Sequence, residues 1–225
     1  MKKHSSVPFF LILFFVITTV YSCKNTPAGE KEKGEAVVEQ GYPLTLTPDT
    51  LGDSLRWHAA LHGGKGFTVV EDKSLGYSIS NILILPEGFD NKDTIRIEGS
   101  DPVEKVYVTD LDGDGKEELF LVTRSAGSGA YAGVTGYGTV RENRPQKIDI
   151  GDLTESDKVP EKIKKGLRGH EEIRFDKNSM IISFPLYREE DPNAEPTGGE
   201  ASVTCHLVTT DGKLQLQCVS AESKE

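Results

Sequence analysis

The sequence predicts a mainly β protein, an antiparallel sandwich or barrel of about eight or more strands with at most one or two short helices. Three observations carry this. Short β-rich runs recur along most of the chain, each closed by turn residues. Asp211-Gly212 separates two such runs, and Asp-Gly is a strong hairpin signal because a type I′ turn needs positive φ at both central positions. Only one stretch, Thr154 to Leu167, has a helical pattern. No internal repeat is present.

The N-terminus comes first and lies outside the β body. Met1-Lys2-Lys3-His4 is a basic head, and Val7 to Val20 is almost wholly apolar. A bilayer span takes ~20 apolar residues, so residues 1–22 read as an export signal. The signal ends Val20-Tyr21-Ser22-Cys23. This resembles a bacterial lipobox, which implies a lipidated Cys23 at the mature N-terminus and anchoring to the outer membrane, on its periplasmic or cell-surface face. The other reading is an ordinary export signal that happens to precede a Cys. Residues 23–40 are rich in Lys, Glu and Gly. They cannot bury enough surface to fold and read as a tether. Residues 41–220 are long enough for one sizeable core, and residues 221–225 read as a disordered tail.

Composition bounds the partners. The formal charge is −10, and loss of Lys2 and Lys3 with the signal takes it to −12. An acidic surface disfavours nucleic acid and anionic lipid and suits a cationic partner.

The strands follow in order. Leu44 to Thr47 alternates, Gly66 to Val70 and Tyr77 to Leu85 are β-rich, and Thr94 to Glu98 alternates cleanly. Glu104 to Thr109, Glu118 to Thr123, Val134 to Val140 and Gln146 to Ile150 continue the pattern. The helical candidate comes next, with Thr154 as cap and Ile163 and Leu167 four apart. Pro160 argues against an unbroken helix from that cap. A hairpin through Ile173 to Phe184 precedes the last pair, Ser202 to Thr210 and Lys213 to Val219. Counting outward from Asp211-Gly212 sets Leu207 opposite Leu216 and Cys205 opposite Cys218. That position is a non-hydrogen-bonded pair, where side chains come closest, and it predicts a disulfide on the core side of the hairpin.

Asp110-Leu111-Asp112-Gly113-Asp114-Gly115-Lys116-Glu117-Glu118 places acids at alternate positions around a Gly turn. Alternate carboxylates on a tight loop can converge on a hard cation. Asp110, Asp112, Asp114 and Glu118 are the candidate calcium ligands. Position 12 is Leu121 rather than Glu, and the flanks are strands, so this is no EF-hand. The competing reading is a solvated acidic turn. No cofactor is required on either reading.

This turn runs into an apolar strand and then Thr123-Arg124-Ser125-Ala126-Gly127-Ser128-Gly129-Ala130-Tyr131. The joined stretch from Val106 to Tyr131 resembles the periplasmic inhibitors of invertebrate-type (I-type) lysozyme. That family has a strand, an Asp-rich turn, an apolar strand, Arg-Ser and a Ser-Gly-x-Tyr loop, in this order. The resemblance covers roughly Val103 to Gly138, within a longer chain. It implies an antiparallel β-sandwich and a loop that enters the active-site cleft of a lysozyme-type glycosidase, with Ser128, Gly129 and Tyr131 as the inhibitory residues. Such an enzyme works with two carboxyl groups. Ser128 would offer a short hydroxyl and Tyr131 a longer one on a stiff apolar body.

Other classes compete. A flexible Gly/Ser connector would explain the loop's composition. The missing Gly-Lys-Ser/Thr ending and the Asp-rich turn next door, which would repel phosphate, argue against a phosphate cradle. His58 and His62 lack a Glu partner of the His-Glu-x-x-His type, and Ser128 lies in Gly-Ser-Gly rather than a nucleophile elbow. The chain is therefore expected not to be an enzyme. The alternative function is a calcium-stiffened surface lipoprotein that binds a glycan or protein. It would require a groove with exposed aromatics, for which Trp57, Tyr137 and Tyr187 are the candidates.

Overall fold

A computed structural model of the chain describes residues 43–139 and 143–224. The expected signal, the tether and Cys23 lie outside the described residues. The described chain runs β1 (Leu44–Leu46), β2 (Asp49–Leu51), β3 (Ser54–Leu61), β4 (Lys65–Asp72), β5 (Ser80–Glu87), β6 (Ile95–Ser100) and β7 (Val103–Thr109). It continues through β8 (Glu118–Arg124), β9 (Ala132–Gly138), β10 (Gln146–Ile148) and α1 (Glu161–Gly166). It closes with β11 (Glu172–Asp176), β12 (Ser179–Pro185), β13 (Glu200–Thr210) and β14 (Lys213–Lys224).

These strands build three antiparallel sheets rather than a closed barrel. The central sheet has the order β1-β7-β8-β9-β10, one outer sheet β2-β3-β4-β5-β6 and the other β11-β12-β13-β14. The middle strand β8 explains the layering. Leu119, Phe120, Leu121 and Val122 are all buried to within 1 %, because successive side chains point to opposite faces and both faces are covered. Leu119 and Leu121 pack with Trp57, Phe67, Val69, Ile82 and Ile84 of the first outer sheet. Phe120 and Val122 pack with Phe175, Met180, Ile182, Val203 and Leu216 of the second. A strand buried on both faces reads as a continuous apolar run, as this one does. Truncating Phe120 to Ala would cost about 3–5 kcal/mol.

Two junctions hold the layers in register. Glu71 of β4 is fully buried, and its Oε1 accepts the Ser80 hydroxyl at 2.6 Å and the Val103 N–H at 2.8 Å. This carboxylate ties the first outer sheet to the central one. At the other side, Asp149 donates its N–H to Leu214 O at 3.0 Å and accepts the Leu216 N–H at 2.7 Å, joining β10 to β14.

Several expectations need correction. Strands β2 and β3 were not legible as strands: the Arg56-Trp57-His58-Ala59-Ala60 stretch mixes large, charged and small residues with no clean alternation. The helix begins only after Pro160, which stands at its N-cap. Thr154 is no cap, because its N–H and hydroxyl both go to Asp152 Oδ1 at 2.7 Å. The 221–225 tail is a strand as far as Lys224, since β14 pairs Ala221, Glu222, Ser223 and Lys224 with Val203, Ser202, Ala201 and Glu200.

Candidate functional site

The loop between β8 and β9 is held from two sides. Arg124, the last residue of β8, donates from Nε to Glu104 Oε2 at 2.7 Å, from Nη1 to Ala130 O at 2.8 Å and from Nη2 to Glu171 O at 2.9 Å. One guanidinium therefore binds its own strand's neighbour, the loop's far limb and the segment leading into β11. A planar five-donor fork can serve three acceptors at once. The loop's base is closed by Ser125 N–H to Tyr131 O and by Tyr131 N–H to Ser125 Oγ, both at 2.9 Å. Ala130 N–H bonds back to Gly127 O at 2.9 Å, which makes the tip a tight turn.

A second element buttresses it. His170 N–H donates to Gly129 O at 2.8 Å, and the buried Glu171 accepts the Ala132 N–H at 2.9 Å. Gly169 passes so close that a Cβ there would meet Gly129 O at 1.9 Å, and its φ is +103. A Cβ on Gly129 itself would fall 2.5 Å from Tyr131 Cε2, so the Tyr131 ring lies over a residue that has no side chain. Gly169 needs glycine on both counts, whereas a side chain at Gly129 would displace the exposed Tyr131 ring. Ser128 is exposed and Tyr131 is 53 % exposed. Among the described residues neither hydroxyl has a hydrogen-bond partner. The arrangement is a braced tip with two free hydroxyls, not a slack connector.

The acidic turn between β7 and β8 uses its carboxylates internally. Asp110 Oδ2 accepts the Gly115 N–H at 3.0 Å and Asp112 Oδ1 the Asp114 N–H at 3.1 Å. Asp114 Oδ1 accepts the Lys116 N–H at 2.9 Å, and its Oδ2 holds the Lys116 ammonium at 2.7 Å. Asp110, Asp112 and Asp114 each bring one oxygen within 4.8 Å of the others. Glu118 does not join them. It is buried, its Oε2 accepts the Leu111 N–H at 2.8 Å, and burial, with the three aspartates beside it, pushes its carboxyl up to about 9. Burial, then Asp114 and Asp110, also raises the Asp112 carboxyl despite the Asp114 N–H. Asp110 Oδ1 is buried without a hydrogen-bond partner among the described residues, so this aspartate keeps one oxygen for a cation, while Lys116 already neutralises Asp114. Calcium takes 6–8 oxygens, backbone carbonyls and waters included.

The facing cysteines stand as the hairpin count predicts, but not as the disulfide. Cys205 pairs with Cys218 across β13 and β14, and the sulfurs are 3.2 Å apart as free thiols. A bulge at Thr204/Cys205 then shifts the register, so Thr204 faces Ser220.

The groove that the alternative function requires is not formed by its candidate residues. Trp57, Tyr137 and Tyr187 are all buried core. A cleft of about 320 Å³ beside the acidic turn is lined by Leu61, His62, Lys65, Lys116 and Glu117 among others, with no Phe, Tyr or Trp. His58 is an ordinary polar side chain on the open face of β3, 3.0 Å from Thr68 Oγ1, which donates to Glu87.

Sequence reasoning missed the braces Arg124, Gly169 and Glu171, which act across distances in sequence that no local pattern reports. It also misread Tyr77 and Ile79 as the start of a strand. The strand β5 begins at Ser80, and Leu75, Tyr77 and Ile79 project from the loop before it, exposed at 60, 95 and 48 %. Gly76 and the serines around it are the signal that could have marked a loop. Compared with known proteins, the chain matches no family model, no curated protein and no solved structure.

Proposed function

We propose that the protein inhibits a lysozyme-type glycosidase, an I-type lysozyme foremost, by inserting the loop of Ser128, Gly129 and Tyr131 into the active-site cleft. The observation that carries this reading is the braced tip. Its two exposed hydroxyls stand on a loop fixed by Arg124 and by the Gly169–Glu171 segment. A loop already ordered before binding loses little entropy on association. Hydroxyls at its tip can hydrogen-bond the acid and the second carboxylate of a glycosidase, and they offer no bond for it to cleave. The acidic chain would speed encounter with a cationic enzyme.

Export and anchoring through Cys23 belong to the same reading, since the inhibitor would then stand beside the peptidoglycan it protects. In that compartment Cys205 and Cys218 would give two electrons and two protons to an exchanging disulfide, which is reduced to two thiols as theirs closes.

The test is double replacement, Ser128→Ala with Tyr131→Ala. Inhibition should weaken by about a hundredfold or more, as for paired hot-spot residues, while the melting temperature stays within experimental error. Full inhibition by the double variant would move the site elsewhere on the molecule.

A further inference from the structure

Six large apolar side chains are exposed among the described residues: Leu51, Leu75, Tyr77, Ile79, Tyr131 and Val219. Scattered singly they would need no explanation. They are not scattered. Lys73 N–H bonds to Asp53 O at 3.0 Å, which sets the β4–β5 loop beside the β2–β3 turn that follows Leu51. Glu71 and Ser80 flank that loop, and Glu71 receives the Val103 N–H at 2.8 Å. One residue earlier, Pro102 O accepts the Arg124 N–H at 2.9 Å, where the Ser128–Tyr131 loop begins. This chain of bonds brings Leu51, Leu75, Tyr77, Ile79 and Tyr131 to the same end of the molecule. Only Val219, on the far outer sheet, lies apart.

The exposed charges at this end lean to the acidic side. Lys73 pairs with Glu71, Arg124 with Glu104, and Lys105 with Glu104 and Glu172. Among the described residues no ion pair forms at Asp53, Asp72 or Asp101, nor at the half-buried Arg56 of β3, whose Nε has no hydrogen-bond partner. An apolar patch with a polar rim has the anatomy of a protein interface, and tyrosine is enriched among residues that dominate binding. A surplus of carboxylates repels anionic lipid and attracts a basic protein.

We infer that the β4–β5 loop, through Leu75, Tyr77 and Ile79, is a second docking arm that grips a cationic glycosidase beside the cleft entered by the Ser128–Tyr131 loop. This rests on the inhibitor reading. It adds an apolar contact, and hence a source of affinity and selectivity, that the Ser-Gly-x-Tyr loop does not supply.

The experiment measures inhibition of I-type lysozyme by the full exported chain and by two variants, Leu75→Ser/Tyr77→Ser and Val219→Ser. These side chains are exposed, so thermal melts should coincide with wild type. The loop variant should raise the inhibition constant by about ten- to a hundredfold, with Val219→Ser unchanged. An unchanged constant for the loop variant, with Ser128→Ala/Tyr131→Ala still inactive, overturns the second arm and leaves the inhibitor reading intact. Tyr77-dependent sedimentation with phosphatidylcholine vesicles or insoluble peptidoglycan, at an unchanged inhibition constant, also overturns it and assigns the loop to lipid or glycan. No inhibition by wild type overturns the inhibitor reading and this occupant together.

Discussion

Glu118 shows how one buried acid sets a pH dependence. Its carboxyl is raised from the ordinary 4.5 to about 9, chiefly by burial. Between those values the folded chain keeps a proton that the unfolded chain releases. Stability therefore falls as pH rises through this window. Glu118→Gln is neutral in both states, and its amide oxygen can still accept the Leu111 N–H. Melts in a calcium chelator should give the variant a flatter pH dependence and a higher melting temperature than wild type at pH 8. Equal lowering at pH 5 and pH 8 would contradict this. The cysteines give a second residue-scale expectation. The S–H of Cys205 and the hydroxyl of Ser156 stabilise the Cys218 thiolate and bring it to about 7 against partial burial, while that same bond and then burial hold Cys205 up. In reduced protein at pH 7.5, iodoacetamide should label Cys218 well before Cys205. Protein recovered from an oxidising compartment should label at neither and should be about 3 kcal/mol more stable, the entropy of closing a loop of this length. Two labelled thiols in exported protein would sink the disulfide. The facing pair was legible from two residues, Asp211 and Gly212, because a two-residue turn fixes the register of everything outward from it.

At the scale of the element, the β8–β9 loop depends on a residue outside it. Arg124 bonds two backbone carbonyls and one carboxylate. Arg124→Ala would leave those carbonyls short of donors, at about 1–3 kcal/mol of stability. It should also weaken inhibition although it leaves Ser128 and Tyr131 in place. Arg124→Lys should rescue neither effect, since one ammonium cannot span the three acceptors. Inhibition by Arg124→Ala as strong as wild type would mean that loop order does not contribute to binding. The sequence revealed this loop's composition but not its rigidity, because the bracing comes from Glu104 and from residues 169–171, far away in the chain. Strand β8 was legible for the opposite reason: its apolar run is local. Strand β3 was not, since Trp57 and Ala59 face the core while Arg56 and His58 face out, and small Ala60 blurs the alternation. The helix was misplaced at its start because Asp152 captures Thr154 and Pro160 resets the backbone.

At the scale of the whole molecule, three stacked sheets leave the strand ends and loops as the places for function. One end presents the acidic turn, whose carboxylates bind its own amides and Lys116 and leave Asp110 Oδ1 without a partner among the described residues. The other end gathers five of the six large apolar side chains exposed among the described residues, with Asp53, Asp72 and Asp101 beside them. A mainly β sandwich was legible from strand spacing. A third layer was not, because nothing local in Phe120 or Leu119 says how many sheets will cover them. The proposed inhibition of a lysozyme would take place at that apolar end. The most direct measurement is peptidoglycan turnover by I-type, chicken-type and goose-type lysozymes, each with an excess of the purified full chain. Strong inhibition of the I-type enzyme, relieved by Ser128→Ala/Tyr131→Ala, is the expected result. Unimpeded turnover by all three would contradict it.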